Sequence, residues 1–198
     1  MTKIVIGSDE VGWGAVAGPL YVVGVAAQAG WQFSGLKDSK KLSRQARLDL
    51  FDDLVEALRG RWALAIVPPA QLDQQGPQPC LVAAHTKVLR ELLDKIPKAD
   101  VDRIIVDGNL RLPELREAVA LPKADANFPA VSAASVLAKV LRDDAMAALT
   151  RTYPHYGFEE HVGYGTAAHL RAIKKHGLCP AHRRSYLKDR ITGGTQEP

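Results

Sequence analysis

Short β-branched runs and stretches with helical spacing alternate along this chain. Lys3 to Ser8 and Leu20 to Ala27 are two such runs, separated by the glycine-rich Gly12-Trp13-Gly14-Ala15-Val16-Ala17-Gly18-Pro19, which predicts two strands joined by a connection. The first delivers Asp9 and Glu10 at its C-terminal end. Ser43 can cap a helix whose apolar positions Ala46, Leu50, Phe51, Leu54 and Leu58 recur at three and four residues, with Gly60 just past its end. Arg61 to Val67 reads as a strand stopped by Pro68-Pro69, and a Pro/Gln/Gly loop follows. Leu81 to Ile96 reads as a second helix closed by Pro97. Arg103 to Val106 fits a buried strand ending in the turn signal Asp107-Gly108-Asn109, and Leu121 to Asp125 a loop or short edge strand. Pro129 stands where a first helical turn tolerates it and opens a long helix through Leu149. A Tyr/Pro/Gly stretch to Gly165, a helix from about Thr166 to His176 and a short basic terminal segment complete the pattern. The succession predicts an α/β fold with a mixed sheet flanked by helices.

With 198 residues, 46% apolar and 24% charged, the chain is expected to form one soluble globular domain over residues 1–191, including a basic helical segment from about residue 151. Residues 192–198 are expected to fray. No apolar run approaches the roughly 18 residues of a spanning helix, and Asp9 and Glu10 interrupt the N-terminus too early for a signal-peptide core. The expectation is a cytoplasmic monomer without membrane association. Two cysteines, Cys80 and Cys179, make no disulfide framework. Charge adds more once it is located: residues after 150 hold eight Lys/Arg against four acids, an excess equal to the chain's net +4. Five of the six histidines and the tyrosines Tyr153, Tyr156, Tyr164 and Tyr186 lie in the same stretch, a composition suited to a polyanion surface or to a solvated helix face.

Acids at strand ends are more suspect than acids on helices, because sites in open α/β sheets lie outside the carboxyl ends of strands. Asp9, Glu10 and Asp107 meet that description, and Asp125 precedes the long helix. Neighbouring strand residues point to opposite faces, so Asp9 and Glu10 serve one site only if the backbone turns, which Val11-Gly12-Trp13-Gly14 is expected to provide. Like charges about 4 Å apart cost roughly 4 kcal/mol per pair at an effective dielectric near 20, so a converging cluster calls for cations. Hard oxygen donors without Cys or His favour Mg²⁺ or Mn²⁺ over Zn²⁺, and two such ions suit phosphodiester hydrolysis. The same acids also read as a turn residue, an Asx turn and a helix-cap acid.

Five segments in order and register resemble bacterial ribonuclease HII: Ser8-Asp9-Glu10-Val11-Gly12, Asp38-Ser39-Lys40-Lys41-Leu42-Ser43, Asp107-Gly108-Asn109, the run from Val131 to Asp143, and Gly163-Tyr164-Gly165-Thr166 with His182-Arg183-Arg184-Ser185-Tyr186. The resemblance covers nearly the whole chain. It implies a ribonuclease H-like fold and endonucleolytic cleavage of the RNA strand of RNA·DNA hybrids, leaving 5′-phosphate and 3′-hydroxyl ends, in primer removal or ribonucleotide excision. It implies that Asp9, Glu10, Asp107 and Asp125 are the catalytic, metal-binding carboxylates. Ser39, Lys40 and Lys41 match a loop that contacts nucleic-acid backbone. Ser132, Ser135, Lys139 and Arg142 share one face of the long helix and could meet substrate, support the carboxylates or simply allow close packing. Tyr164 matches the tyrosine that senses the 2′-hydroxyl at an RNA-to-DNA junction. His182, Arg183 and Arg184 match a segment of phosphate contacts or structural ion-pair partners. A replication-clamp contact is not readable from these residues.

The family usually carries Gly-Arg-Gly where this chain has Gly12-Trp13-Gly14. The glycines keep the backbone able to approach the substrate, but Trp13 cannot make arginine's charged bidentate phosphate contact, a loss of about 1.5 to 3 kcal/mol. Cleavage at an isolated ribonucleotide is therefore expected to weaken more than cleavage within a longer RNA run. The alternatives are a catalytically impaired hybrid binder and another nuclease or recombinase on the same fold; retention of all four acids argues against the binder.

Overall fold

In the computed structural model, residues 3–36 and 42–191 are described, with side chains through Lys188. The expected backbone contacts Ser39, Lys40 and Lys41 and the tail 192–198 lie outside the described residues. Five strands, β1 (Ile4–Val11), β2 (Leu20–Gln28), β3 (Trp62–Val67), β4 (Val101–Asp107) and β5 (Ala118–Leu121), form one sheet in the order β3-β2-β1-β4-β5. β1 pairs antiparallel with β2 and parallel with β4, which pairs parallel with β5, so the sheet is mixed as expected.

Among the described residues seven α-helices accompany it: α1 (Arg44–Leu58), α2 (Pro69–Gln75), α3 (Pro77–Leu93), α4 (Pro129–Thr152), α5 (Phe158–His161), α6 (Ala167–His176) and α7 (Arg184–Ile191). Local chemistry explains most of their ends. The Ser43 hydroxyl accepts from the Ala46 N–H at 3.2 Å at the start of α1, and Thr166 caps α6 in the same way through His169 N–H at 3.3 Å. The expected loop after Pro68-Pro69 is instead two helices. Pro69 and Pro77 each occupy a first helical position, where the missing N–H would have had no partner, so they open helices that a breaker reading takes for loop. The edge strand lies at Ala118–Leu121, ahead of the expected span, and Asp125 sits in a short 3-10 turn, Ala124–Ala126.

The chain folds into two compact units. The first comprises Met1–Val11, Tyr21–Ile66 and Leu81–Leu141. There Val23, Val25 and Ala27 of β2 pack with Leu50, Leu54 and Leu58 of α1 and with Ala130, Ala133, Ala134 and Leu137 of α4. The three leucines sit four residues apart on one stripe of α1, and burying each contributes about 2 kcal/mol. On the other sheet face, Val88 and Leu92 of α3 lie over Gly24. The second unit comprises Gly12–Leu20, Val67–Cys80 and Arg142–Pro198, with a core of Val16, Ala17, Met146, Tyr156, Phe158, Ile173, Cys179 and Leu187. Among the described residues no helix is long and apolar enough to cross a membrane.

Candidate active site

β1 runs to Val11, so Asp9 and Glu10 lie inside the strand, paired with Val23 and Val22, and no turn brings them to one side. The turn expected at Val11-Gly12-Trp13-Gly14 follows both acids and does not bring them to one side. Alternation sends them to opposite faces. Ser8 and Glu10 face α3, where His85 is fully buried: the Ser8 hydroxyl meets His85 Nδ1 at 2.9 Å, and His85 Nε2 lies 3.2 Å from Glu10 Oε2. The carboxylate can only accept, so His85 donates from Nε2 and accepts the Ser8 proton at Nδ1. Asp9 faces the other way, toward α4, where the Ser135 hydroxyl bonds its carboxylate; Asp9 Oδ1 also accepts the Glu10 N–H at 2.8 Å.

The neighbouring strand brings Asp107 close to Asp9. The parallel register matches Ser8 to Val106, and Asp107 follows directly at the end of β4. Asp107 Oδ1 accepts the Ala124 N–H at 2.7 Å and so ties the strand end to the turn that carries half-buried Asp125. Asp9 is only 7% exposed, and its carboxyl is raised to about 7, first by burial and then by the charges of Glu10 and Asp107, against the lowering effect of Ser135 and the Glu10 N–H. Burial beside two further acids makes ionising this carboxyl costly.

Oxygen donors with no cysteine among them fit a hard divalent cation. The side chains stand turned to protein partners, Glu10 to His85 and Asp107 to Ala124, and among the described residues no group of three or more His, Cys, Asp or Glu is gathered to hold an ion. The serine pair on α4 divides. Ser135 supports Asp9, while buried Ser132 donates to the Leu36 carbonyl at 3.3 Å and holds the β2–α1 connection. Lys139 is half-buried on the same helix.

The second unit holds the remaining candidates. Arg142 and Arg183, expected to contact substrate, are both fully buried and spend their guanidiniums on main-chain carbonyls. Arg142 donates to Pro19 at 3.0 Å, Val162 at 2.9 Å and Ala17 at 3.2 Å; Arg183 donates to Gly18 at 2.9 Å and Trp13 at 3.0 Å. The correction has a physical reason. Five carbonyls at the bends of residues 12–20 and 162 need donors, and the planar five-donor fork of arginine serves several at once. Burial lowers Arg183 to about 10, which still leaves it charged at neutral pH.

These arginines shape two loops. Gly12 takes φ 87°, and a Cβ there would collide with the Arg142 guanidinium, so this glycine answers to Arg142 itself. Val162, β-branched, is held at φ 42°, a conformation costing on the order of 1–3 kcal/mol, and Arg142 bonds its carbonyl. At Gly163 a Cβ would collide with the Ala17 carbonyl, and the Gly163 carbonyl accepts from Val16 N–H at 2.9 Å and Ala17 N–H at 3.1 Å. The loop pairing leaves Tyr164 41% exposed, with the Arg142 guanidinium 5.8 Å from its ring centroid. Trp13 is half-buried, Gly14 exposed, and Arg184 exposed at the start of α7. Asp73 caps that helix, accepting from Arg184 N–H at 2.9 Å and Ser185 N–H at 2.8 Å.

Sequence reasoning missed Asp73 and His85. His85 could have been found, because it occupies the apolar stripe Leu81, Val88, Leu92 of its helix, where a polar residue needs a partner. Asp73 carries no such signal, since its partners lie more than a hundred residues away.

Comparison with known proteins identifies the family. A family model described as Ribonuclease HII matches residues 6–189. A ribonuclease HII of Halalkalibacterium halodurans is 38% identical over 193 residues, covering 98% of this chain and 71% of the relative. One from Ralstonia nicotianae is 40% identical over 187 residues, covering 93% and 77%. Among solved structures, the PCNA:RNase HII complex from Archaeoglobus fulgidus superposes with a TM-score of 0.73 at 28% identity, over 91% of this chain and 93% of that one. The acids at the ends of β1 and β4 thus sit in a ribonuclease H-like sheet, and the chain belongs to the ribonuclease HII family, metal-dependent endonucleases that cleave the RNA strand of RNA–DNA hybrids.

Proposed function

We propose that Asp9, Glu10, Asp107 and Asp125 hold two divalent ions, Mg²⁺ or Mn²⁺, and that Tyr164 reads the 2′-hydroxyl at the cleaved position. The observation that carries the first half is the placing of buried Asp9 beside Glu10 and Asp107, where burial first and then the two neighbouring charges raise its carboxyl to about 7. When bound, such ions activate water and stabilise the leaving oxygen. The residues of the chain do the rest. Ser135 and the Glu10 N–H orient Asp9, His85 orients Glu10, and the Ala124 N–H orients Asp107. Supporting the second half, Tyr164 is an exposed aromatic on a loop whose backbone is held from both sides. Lys139 and Arg184, with Ser39, Lys40 and Lys41, are proposed as phosphate contacts, and Gly12, Trp13 and Gly14 as the segment that lies along the sugar-phosphate backbone.

Trp13 shifts the preference of the enzyme toward RNA runs over single ribonucleotides, because the arginine expected there is absent and Arg183 is committed to carbonyls. The test compares cleavage of a duplex holding one ribonucleotide with one holding an RNA run, for the natural protein and Trp13→Arg. A gain of about tenfold or more on the single-ribonucleotide duplex, the worth of one charged hydrogen bond, is expected; equal efficiency on both duplexes in the natural protein refutes the shift. Action as a cytoplasmic monomer in primer removal or ribonucleotide excision is proposed from family membership. Contact with a sliding clamp is proposed from the archaeal relative solved with PCNA.

A further inference from the structure

Two imidazoles outside the carboxylate cluster meet edge to edge. His169 Nε2 and His182 Nε2 are 3.1 Å apart, and both side chains are buried. Only one of the two nitrogens can hold a proton in such a contact, and the rest of the network decides which. His182 Nδ1 lies 3.0 Å from the Cys179 N–H, a donor, so it accepts and its proton resides on Nε2. His169 Nε2 must then accept, which places its own proton on Nδ1, 2.9 Å from the Tyr164 carbonyl. The Cys179 carbonyl, 3.3 Å from His182 Nδ1, would demand the opposite tautomers all along the chain, and would leave the Tyr164 carbonyl facing a bare nitrogen.

The third histidine fits the same assignment. His161 Nδ1 accepts the Gly163 N–H at 3.2 Å, so its Nε2 proton goes to the Tyr156 carbonyl at 2.7 Å, and its ring stacks on His169 with centroids 4.2 Å apart. The Tyr164 peptide is therefore held on both sides: its N–H donates to the His161 carbonyl at 2.9 Å, and its carbonyl accepts from Thr166 N–H at 2.8 Å and from His169. Burial lowers His169 to about 4 and lowers His182 as well, with His161, His182 and Arg184 as the facing charges that reinforce the effect. Burial thus favours the neutral forms that this chain of bonds requires.

We propose that His182 and His169 form a buried strut, running from the Cys179 N–H to the Tyr164 carbonyl, that sets the angle at which the tyrosine ring meets the substrate sugar. They are positioning residues, and the inference rests on the reading of Tyr164 as the sugar sensor. A carbonyl bonded only to Thr166 could pivot about that bond; the second donor removes the pivot. The aromatic ring, one side chain away, inherits the rigidity.

The test uses two substitutions that split the bonds of one imidazole. His169→Asn keeps a donor where Nδ1 stood and so keeps the Tyr164 bond; His169→Gln keeps a polar group where Nε2 stood and so keeps the His182 bond. Efficiency on the single-ribonucleotide duplex relative to the RNA-run duplex is expected to fall about tenfold in His169→Gln and to stay near the natural value in His169→Asn, whatever their melting temperatures. An unchanged ratio in both, or equal losses that follow thermal stability, overturns the strut. Tyr164→Ala runs alongside: if it leaves the ratio untouched, the reading of Tyr164 falls and the strut with it, whereas a shift there with none in His169→Gln overturns the strut alone. Long-range ¹H–¹⁵N spectra of the natural protein decide the matter without any substitution. His169 as the Nδ1–H tautomer and His182 as the Nε2–H tautomer support the strut, and the reverse pair overturns it.

Discussion

Replacing Asp9 with asparagine should make the metal-free protein more stable while abolishing its chemistry. The Asp9 carboxyl is raised from 3.8 to about 7 in the folded chain, chiefly by burial and further by Glu10 and Asp107. At about 1.36 kcal/mol per pKa unit, ionised Asp9 costs the fold about 4 kcal/mol at pH 8. The sign follows from the folded carboxyl holding its proton more tightly than the unfolded one. The cost is absent below about pH 4, grows as the pH rises toward 7, is about 2 kcal/mol at pH 5, and is constant above 7. An asparagine side chain would carry no charge and keep an oxygen for the Glu10 N–H, so Asp9→Asn removes the cost and little else. For a chain of this length the gain corresponds to a melting temperature roughly 8 to 16 °C higher at pH 8 in chelator, and about half that at pH 5. Saturating Mg²⁺ should narrow the gap, since an ion at a hundred times its Kd stabilises only the protein that binds it, by about 2.7 kcal/mol. Scanning fluorimetry across pH, with chelator and with Mg²⁺, measures all of this. A variant no more stable than the natural protein at pH 8 in chelator, or a difference that ignores pH, refutes the reasoning.

Other consequences are as direct. Arg142→Lys offers one ammonium where a fork serves the carbonyls of Pro19, Ala17 and Val162; leaving two of them without that donor should cost about 2 to 5 kcal/mol in urea unfolding, and a loss under about 1 kcal/mol contradicts the bracing role. His85→Leu removes the donor that orients Glu10 and the acceptor of the buried Ser8 hydroxyl, so calorimetric Mn²⁺ affinity should fall about 10- to 100-fold alongside a stability loss of about 1 to 3 kcal/mol; unchanged affinity counts against it. Asp73→Ala deletes the cap of α7 and should cost about 1 to 2 kcal/mol with kcat unchanged, so a kcat effect would show that α7 does more than close the chain.

What the sequence disclosed and what it hid follow a physical line. Ser43, Pro129 and Thr166 act within one turn of their own backbone, so the helices they open were readable from neighbouring residues. Pro69 and Pro77 misled, because proline breaks a helix interior but starts a helix equally well, and the pattern around it does not say which. The acids Asp9, Glu10 and Asp107 were visible as strand-end residues, yet the approach of Asp107 to Asp9 rests on the parallel pairing of β1 with β4, strands nearly a hundred residues apart in sequence, and Glu10 faces α3 instead. Arg142 and Arg183 look from their positions like phosphate ligands. Their actual partners are mostly carbonyls at bends 120 to 170 residues away, which no local pattern announces.

The most direct test of the central claim, that the clustered carboxylates drive hybrid cleavage, is one comparison. End-labelled RNA–DNA hybrid is incubated with the natural protein and with Asp107→Asn, in Mg²⁺ and in Mn²⁺, and binding is followed beside cleavage. Metal-dependent cleavage by the natural protein is expected, with a loss of about a thousandfold or more in the variant and hybrid binding kept within a few-fold. Cleavage that survives the substitution would contradict that claim.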